Sequence, residues 1–414
     1  MNPLLLVDSY KTEHYRMFPK GMTKLYSNFT SRKSRIKGVD EVVVFGIQHF
    51  ILEYLIKKFN EDFFKLNERN WYERQLVAGE DFGARSPKEL KETIVRKYKR
   101  HCNVDTAHIE ALWDLGYLPL EIKALDEGTL CPIGVPMLTI TNTHPDFGWL
   151  VNYLETLLSC TLWQGITSAT IAYEYKKLLT KYALETTGSS EGVQWQGHDF
   201  SMRGMSSIES AILSGMAPLA VGFTGTDTIP AIYQLEKSYN ATGLVGGSVP
   251  ATEHSVMCMG TKEAEVDTFR RLLNLYPTGI LSVVSDTWNL WDVLTKYLPE
   301  LKSEIMSRDG KLVIRPDSGD PVDIICGDPK LRKLNDTIRS TNGPAAFGVI
   351  ELLWDIFGGT EVKGNDGKMY KVLDKHIGAI YGDSITLERA EQICERLKAK
   401  GFASTNVVLG IGLT

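Results

Sequence analysis

Six positions that could do acid–base, phosphate or metal chemistry each end a short apolar run: Asp199, Asp227, His254, Asp286, Asp317 and Asp383. The most explicit follows Leu312–Ile314, where Arg315, Pro316, Asp317, Ser318, Gly319 and Asp320 come without a gap. Pro316 and Gly319 forbid continued strand pairing, so Arg315 and Asp317 are presented at a rim by a rigid base. Glu253 beside His254 offers an acid, a base or a phosphate acceptor, and Phe200 between Asp199 and Arg203 offers an aromatic wall. Gly382 with Asp383, and Gly410 with Gly412, permit close backbone approach to an anion. Any one of these has a plainer reading: a carboxylate such as Asp286 could cap a following helix, and a lone histidine is commonly a satisfied partial-core residue. Together they suit a phosphorylated sugar with magnesium better than a zinc site.

The elements that must carry these residues repeat. Asp199, Asp227, His254, Asp286 and Asp317 follow one another at 28, 27, 32 and 31 residues, and Asp383 lies 66 further on, about two units. A strand with a returning helix needs roughly that length, so the spacing predicts parallel strands closing into an α/β barrel with the polar ends on one face. The strands are expected at Val193–Gln196, Ala220–Phe223, Val249–Thr252, Ile280–Val284, Leu312–Ile314, Ile377–Ile380 and Val407–Leu409. Asn365–Gly367 marks a hairpin inside the doubled interval. From Leu118 to Asn142 the apolar period is two, which predicts antiparallel sheet, and helices are expected over Ile47–Phe59, Trp149–Trp163 and Thr167–Thr187. The chain therefore divides into a mixed α+β domain over 1–147 and an α/β barrel over 148–414.

With 414 residues, 43% hydrophobic and 23% charged, this is an ordinary globular composition, large enough for two domains. A net charge of −5 gives no support to nucleic-acid binding. Six cysteines without metal-ligand spacing read as reduced thiols of a cytoplasmic protein. Asp8 interrupts the Leu4–Val7 run, and the longest weakly polar stretch, Ala211–Phe223, is too short for a membrane span, so neither a signal peptide nor a membrane segment is expected. No Walker loop, dinucleotide fingerprint or His-Glu-x-x-His occurs. Composition and spacing alone would also admit a metal-dependent barrel hydrolase.

The motifs in their order resemble the nicotinamide phosphoribosyltransferase family. The matching text is Asp8–Tyr10 with Tyr15, Tyr26–Arg32, His198–Arg203, Gly225–Thr228, Ser248–Ser255, Ser282–Asp286, Ile314–Gly319 and Gly382–Asp383. The resemblance implies a type II phosphoribosyltransferase fold, an irregular α/β barrel packed on a mixed α+β domain, acting as a homodimer with shared sites. It implies that nicotinamide and phosphoribosyl pyrophosphate give nicotinamide mononucleotide and pyrophosphate in NAD salvage, with magnesium and with ATP coupled through a phosphohistidine.

By the same resemblance the pyridine ring lies between Phe200 and Tyr10 of a second copy, Asp227 accepts the carboxamide N–H, and Arg315 contacts the same ring end. Asp286 and Asp317 take the ribose and magnesium side. His254 takes the phosphoryl group, steadied by Glu253. Arg203 and Ser282 fall where the family holds pyrophosphate, Gly382, Asp383 and Gly412 where it holds ribose and 5′-phosphate, and Arg32 where an arginine reaches a phosphate from the partner. Family members continue past the glycine turn with further phosphate-binding residues, whereas this sequence stops at Thr414. The resemblance thus allows a fragment, a subunit of a split substrate-binding assembly, or an enzyme with impaired ATP coupling. Nicotinate is the alternative substrate.

Overall fold

The computed structural model describes residues 1–34, 36–64, 87–102, 105–334 and 343–411. The chain forms two compact units, one of residues 1–169 with 237–240, the other of 170–236 with 241–414. The first holds a three-stranded antiparallel sheet of β1 (Tyr26–Thr30), β3 (Leu120–Ala124) and β5 (Pro136–Asn142), in the order β1-β5-β3. The alternation read in the sequence is the register: Leu120 faces Asn142, Ile122 faces Ile140 and Ala124 faces Leu138. A two-stranded pair, β2 (Glu41–Val43) with β4 (Leu130–Pro132), completes its strands among the described residues. Leu4, Phe29, Phe50, Phe59, Leu112 and Leu138 belong to one buried cluster that is the core of this unit.

One helix is shared by the two units. Glu155–Thr187 is continuous, so Gln164–Ile166 are helical where a break between two helices was expected. Its early residues Leu157, Leu158, Leu162 and Ile166 pack in the first core, while Ala172, Tyr175, Leu179 and Tyr182 pack in the second. The apolar stripe runs without interruption through both halves, and it marks no border.

In the second unit six parallel strands form one curled sheet: β6 (Gly197–Asp199), β7 (Gly225–Thr226), β8 (Thr278–Val284), β9 (Asp309–Arg315), β12 (Ile377–Ile385) and β13 (Val407–Ile411). Their order is β7-β6-β13-β12-β9-β8, with the hairpin β10 (Gly359–Lys363) and β11 (Met369–Leu373) set apart from it. The two outer strands are joined by the extended stretch 247–252. Gly247 bridges Gly225 of β7, and Ala251 bridges Ser282 of β8. The sheet is thus a curled half-barrel whose outer strands are spanned by isolated bridges and no ladder, and Pro250 has no N–H to donate to one. Leu281, Val283, Leu312, Ile314, Ala379 and Leu409 are buried at 0–2% exposure, as two-sided burial in a parallel sheet requires.

Three expected strands are something else, and of these Val249–Thr252 makes only the isolated bridge at Ala251. Val193–Gln196 is mostly a 3-10 turn, Glu191–Trp195, and the strand starts at Gly197. Ala220–Phe223 is the end of the helix Ile208–Ala220 and a turn through Gly222, whose φ is +91°. Ala211, Leu213, Met216 and Leu219 are buried along that helix. A short all-apolar run has no period that separates a buried strand from a buried helix.

Candidate functional site

The polar ends of the barrel strands gather around a cavity of about 1180 Å³. Phe200, Arg203, Asp227, Glu253, His254, Arg315, Asp317, Gly382 and Asp383, all singled out in the sequence, line it together. Met202, Met205, Ile208 and Ala211 add an apolar side from the turn and helix that follow β6. Among the described residues no three His, Cys, Asp or Glu are arranged to hold a metal.

Glycines let the strand ends crowd. A Cβ on Gly225 would fall 2.6 Å from Nδ1 of His198, so β7 must be bare for that imidazole to lie across it. A Cβ on Gly382 would fall 2.9 Å from Oδ1 of Asp317 and 3.7 Å from the Phe200 ring. Gly410 meets the backbone of Gly382, with its carbonyl 2.5 Å from where a Cβ would be. These close approaches are what the glycine turns of the sequence are for.

The ring wall is built on β6 and β9. Phe200 tilts against His198 with centroids 4.4 Å apart, and the Arg315 guanidinium stands 5.6 Å from its centroid. Arg315 is held by Asp317 Oδ2 at 3.1 Å and by the carbonyl of Thr252 at 3.3 Å. His198 Nε2 lies 3.2 Å from Asp227 Oδ1. Burial pushes the Asp227 carboxyl up, but hydrogen bonds from His198 and Ser248 and the charges of His198 and Arg315 outweigh it and hold the group below the usual carboxylate range. Asp227 is thus an anion throughout the physiological range.

Asp286 supports this rim from β8. Its Oδ2 accepts the Asp317 N–H at 2.8 Å and the Ser318 hydroxyl at 2.6 Å, while Oδ1 is buried without a partner. It does not cap the next helix, a task taken by Asn289. Asp320 does cap, accepting from Val322 and Asp323. Burial pushes the Tyr381 hydroxyl up, reinforced by the charges of Asp286, Asp383, Asp317 and Asp320, so this end of the cavity is strongly acidic. An unsatisfied carboxylate oxygen beside Asp317 fits an octahedral cation that takes one or two protein carboxylates and its other ligands from phosphates and water.

Other placements differ from the sequence reading. Glu253 does not steady His254: its carboxylate accepts from Ser255 at 2.5 Å, and His254 Nδ1 sits 3.1 Å from the Thr287 hydroxyl. Adjacent residues at a helix start point apart, and His254 opens the helix His254–Met259. Ser282 is buried within β8 at 6% exposure, and neither it nor the half-buried Asp286 is among the residues that line the cavity. Tyr10 and Arg32 belong to the first unit, both exposed, and Gly412 lies outside the described residues. Asp199, read as a rim carboxylate, is fully buried and accepts from the N–H and hydroxyl of Ser201 and the hydroxyls of Thr226 and Thr228. It ties the ends of β6 and β7 together. His198, Ser248 and Thr287 were given no role of their own; only their polarity at a strand or loop end could have marked them.

The comparisons agree on one group of proteins. The nicotinate phosphoribosyltransferase (NAPRTase) family matches residues 195–414, and the N-terminal domain of nicotinamide phosphoribosyltransferase matches residues 2–67. The chain is 49% identical to a nicotinamide phosphoribosyltransferase of Acinetobacter baylyi, covering 100% of this chain and 78% of that one. It is 36% identical to a nicotinamide phosphoribosyltransferase of Mycoplasma pneumoniae over 99% of this chain and 85% of that one. Among solved structures the fold is similar to human nicotinic acid phosphoribosyltransferase, with a TM-score of 0.53 at 15% identity over 98% of this chain and 72% of that one. A nicotinate-nucleotide pyrophosphorylase of Pyrococcus furiosus gives 0.54 at 13% identity, over 99% and 72%.

Proposed function

The chain belongs to the nicotinate phosphoribosyltransferase family, and from that premise we propose that it transfers phosphoribosyl from phosphoribosyl pyrophosphate to nicotinamide, giving nicotinamide mononucleotide and pyrophosphate. The observation that carries the choice of base is the anionic Asp227 beside the Phe200 wall. A carboxamide donates its N–H to that carboxylate, whereas the carboxylate of nicotinate meets a like charge there. Phe200 favours the product, because its pyridinium is cationic and the reactant is neutral.

Displacement at the anomeric carbon builds positive charge on the ribose while pyrophosphate leaves. Asp317, fixed by Arg315 and by the Asp286 contact to its N–H, holds a negative charge at that end of the cavity. Asp286 and Asp317 are the residues we assign to magnesium, which neutralises the departing pyrophosphate when bound. Arg203 adds a cation to the cavity, and Gly382 with Asp383 leaves room for the sugar.

ATP coupling is assigned to His254: with Nδ1 engaged by Thr287, Nε2 is the nitrogen that accepts a phosphoryl group. A homodimer is inferred for Tyr10 and Arg32, and the 62% exposure of Tyr10 is in keeping with a ring that closes another copy's slot. Cys131, Cys160, Cys258, Cys326 and Cys394 are free thiols, which supports a cytoplasmic setting. No helix among the described residues is long and apolar enough to cross a membrane.

The purified chain mixed with nicotinamide, phosphoribosyl pyrophosphate and magnesium is expected to form the mononucleotide and pyrophosphate in equal amounts, followed by chromatography. Absence of product with and without ATP contradicts the assignment.

A further inference from the structure

His198 touches both groups that define the ring slot. Its ring lies 4.4 Å from that of Phe200, and its Nε2 lies 3.2 Å from Asp227 Oδ1. The side chain is only 12% exposed and has Gly225 against its other nitrogen, so it has little room to swing away. An imidazole held there has two states with opposite consequences. Neutral and protonated on Nε2, it donates to Asp227 and leaves the dyad one negative charge. Doubly protonated, it makes the dyad neutral.

The neighbouring charges do not mask this difference. Arg315 on β9, which faces Asp227, is already paired with Asp317 at 3.1 Å, and Ser248, which donates to the same carboxylate, carries no charge. Among the groups that β6, β7 and β9 bring to Asp227, the imidazole is the one whose chemistry allows either charge.

Resting on the nicotinamide reading above and deepening it, we propose that His198 is a specificity-setting positioning residue: its charge decides how strictly the slot rejects a pyridine carboxylate in favour of a pyridine carboxamide. Asp227 reads the carboxamide, and His198 sets the strength of that reading. The imidazole exchanges no proton with the substrate and forms no bond to it.

The test is the ratio of kcat/KM for nicotinamide to that for nicotinate, measured from about pH 8 down to about pH 5.5, across the range in which histidine changes charge. In the wild type the ratio should shrink about tenfold, the scale of one partly solvated like-charge contact. His198→Gln keeps a neutral donor and cannot charge, so its ratio should stay flat. Parallel profiles in the two proteins overturn the proposal, since a merely structural histidine would not move the ratio with pH.

If His198→Gln loses turnover, calorimetry on the wild type decides. Nicotinate should gain about tenfold in affinity relative to nicotinamide at the lower pH, and a constant ratio overturns the role of His198. Neither base bound or converted at any pH would sink the reaction assignment as well, whereas conversion with a pH-independent ratio sinks the role of His198 alone.

Discussion

Replacing Asp286 by asparagine is expected to lower kcat about a hundredfold or more, the scale seen when one preorganised electrostatic group is lost from a transition state. Asp286 receives two donors on Oδ2, from the Asp317 N–H and the Ser318 hydroxyl, and keeps Oδ1 buried without a partner. An asparagine can still accept both donors with its carbonyl. It then turns an amide where the carboxylate left a free anionic oxygen, so the rim keeps its shape and loses its charge. The effect should fall on kcat and on the magnesium requirement more than on the KM for nicotinamide, because Asp227 and Phe200 are untouched. Initial rates at saturating substrates across a magnesium series check this. A kcat within about threefold of wild type, with an unchanged magnesium dependence, removes Asp286 from the electrostatic role.

Glu265→Gln should stabilise the fold at neutral and higher pH. Glu265 is 1% exposed and its Oε1 has no partner. Burial pushes its carboxyl up from 4.5 to about 7, helped by the charge of Asp292 and opposed by Lys262. The folded state keeps that proton until about pH 7, while an unfolded glutamate releases it near 4.5. Folding stability therefore falls as pH rises through that window and stays lowered above it, by about 3 kcal/mol. Denaturant melts of the wild type should weaken between about pH 5 and pH 8, and those of Glu265→Gln should not, leaving the variant the more stable at pH 8. Parallel profiles in the two proteins would mean that Glu265 ionises freely in the fold.

Much of this was legible because two-sided burial writes itself plainly. Ile280–Val284, Leu312–Ile314 and Ile377–Ile380 are largely apolar and meet Asp286, Arg315 and Asp383 within three residues, and each is part of a barrel strand. The cavity-lining set followed from those abrupt endings, since parallel strands bring all their ends to one rim. The chemistry of each ending was less legible. Asp199 and Asp227 both end strands of the same sheet, yet one is buried under three hydroxyls and the other lines the cavity.

β6 has three residues and β7 two, too few to show a period that would tell these two endings apart. Glu253 and His254 look like partners in the chain, but neighbours at a helix start diverge, and the partners they found are Ser255 and Thr287. The continuity of Glu155–Thr187 was hidden for a different reason: one helix serves two cores, and the expected break at Gln164–Ile166 contains no proline to stop a helix.

Crystals of the chain grown with nicotinamide give the most direct test, since the whole account turns on Asp227 and Phe200 forming one base slot. The pyridine ring should lie against Phe200 with its carboxamide nitrogen about 3 Å from an Asp227 oxygen. A ring bound elsewhere, or an amide turned away from Asp227, would contradict the site.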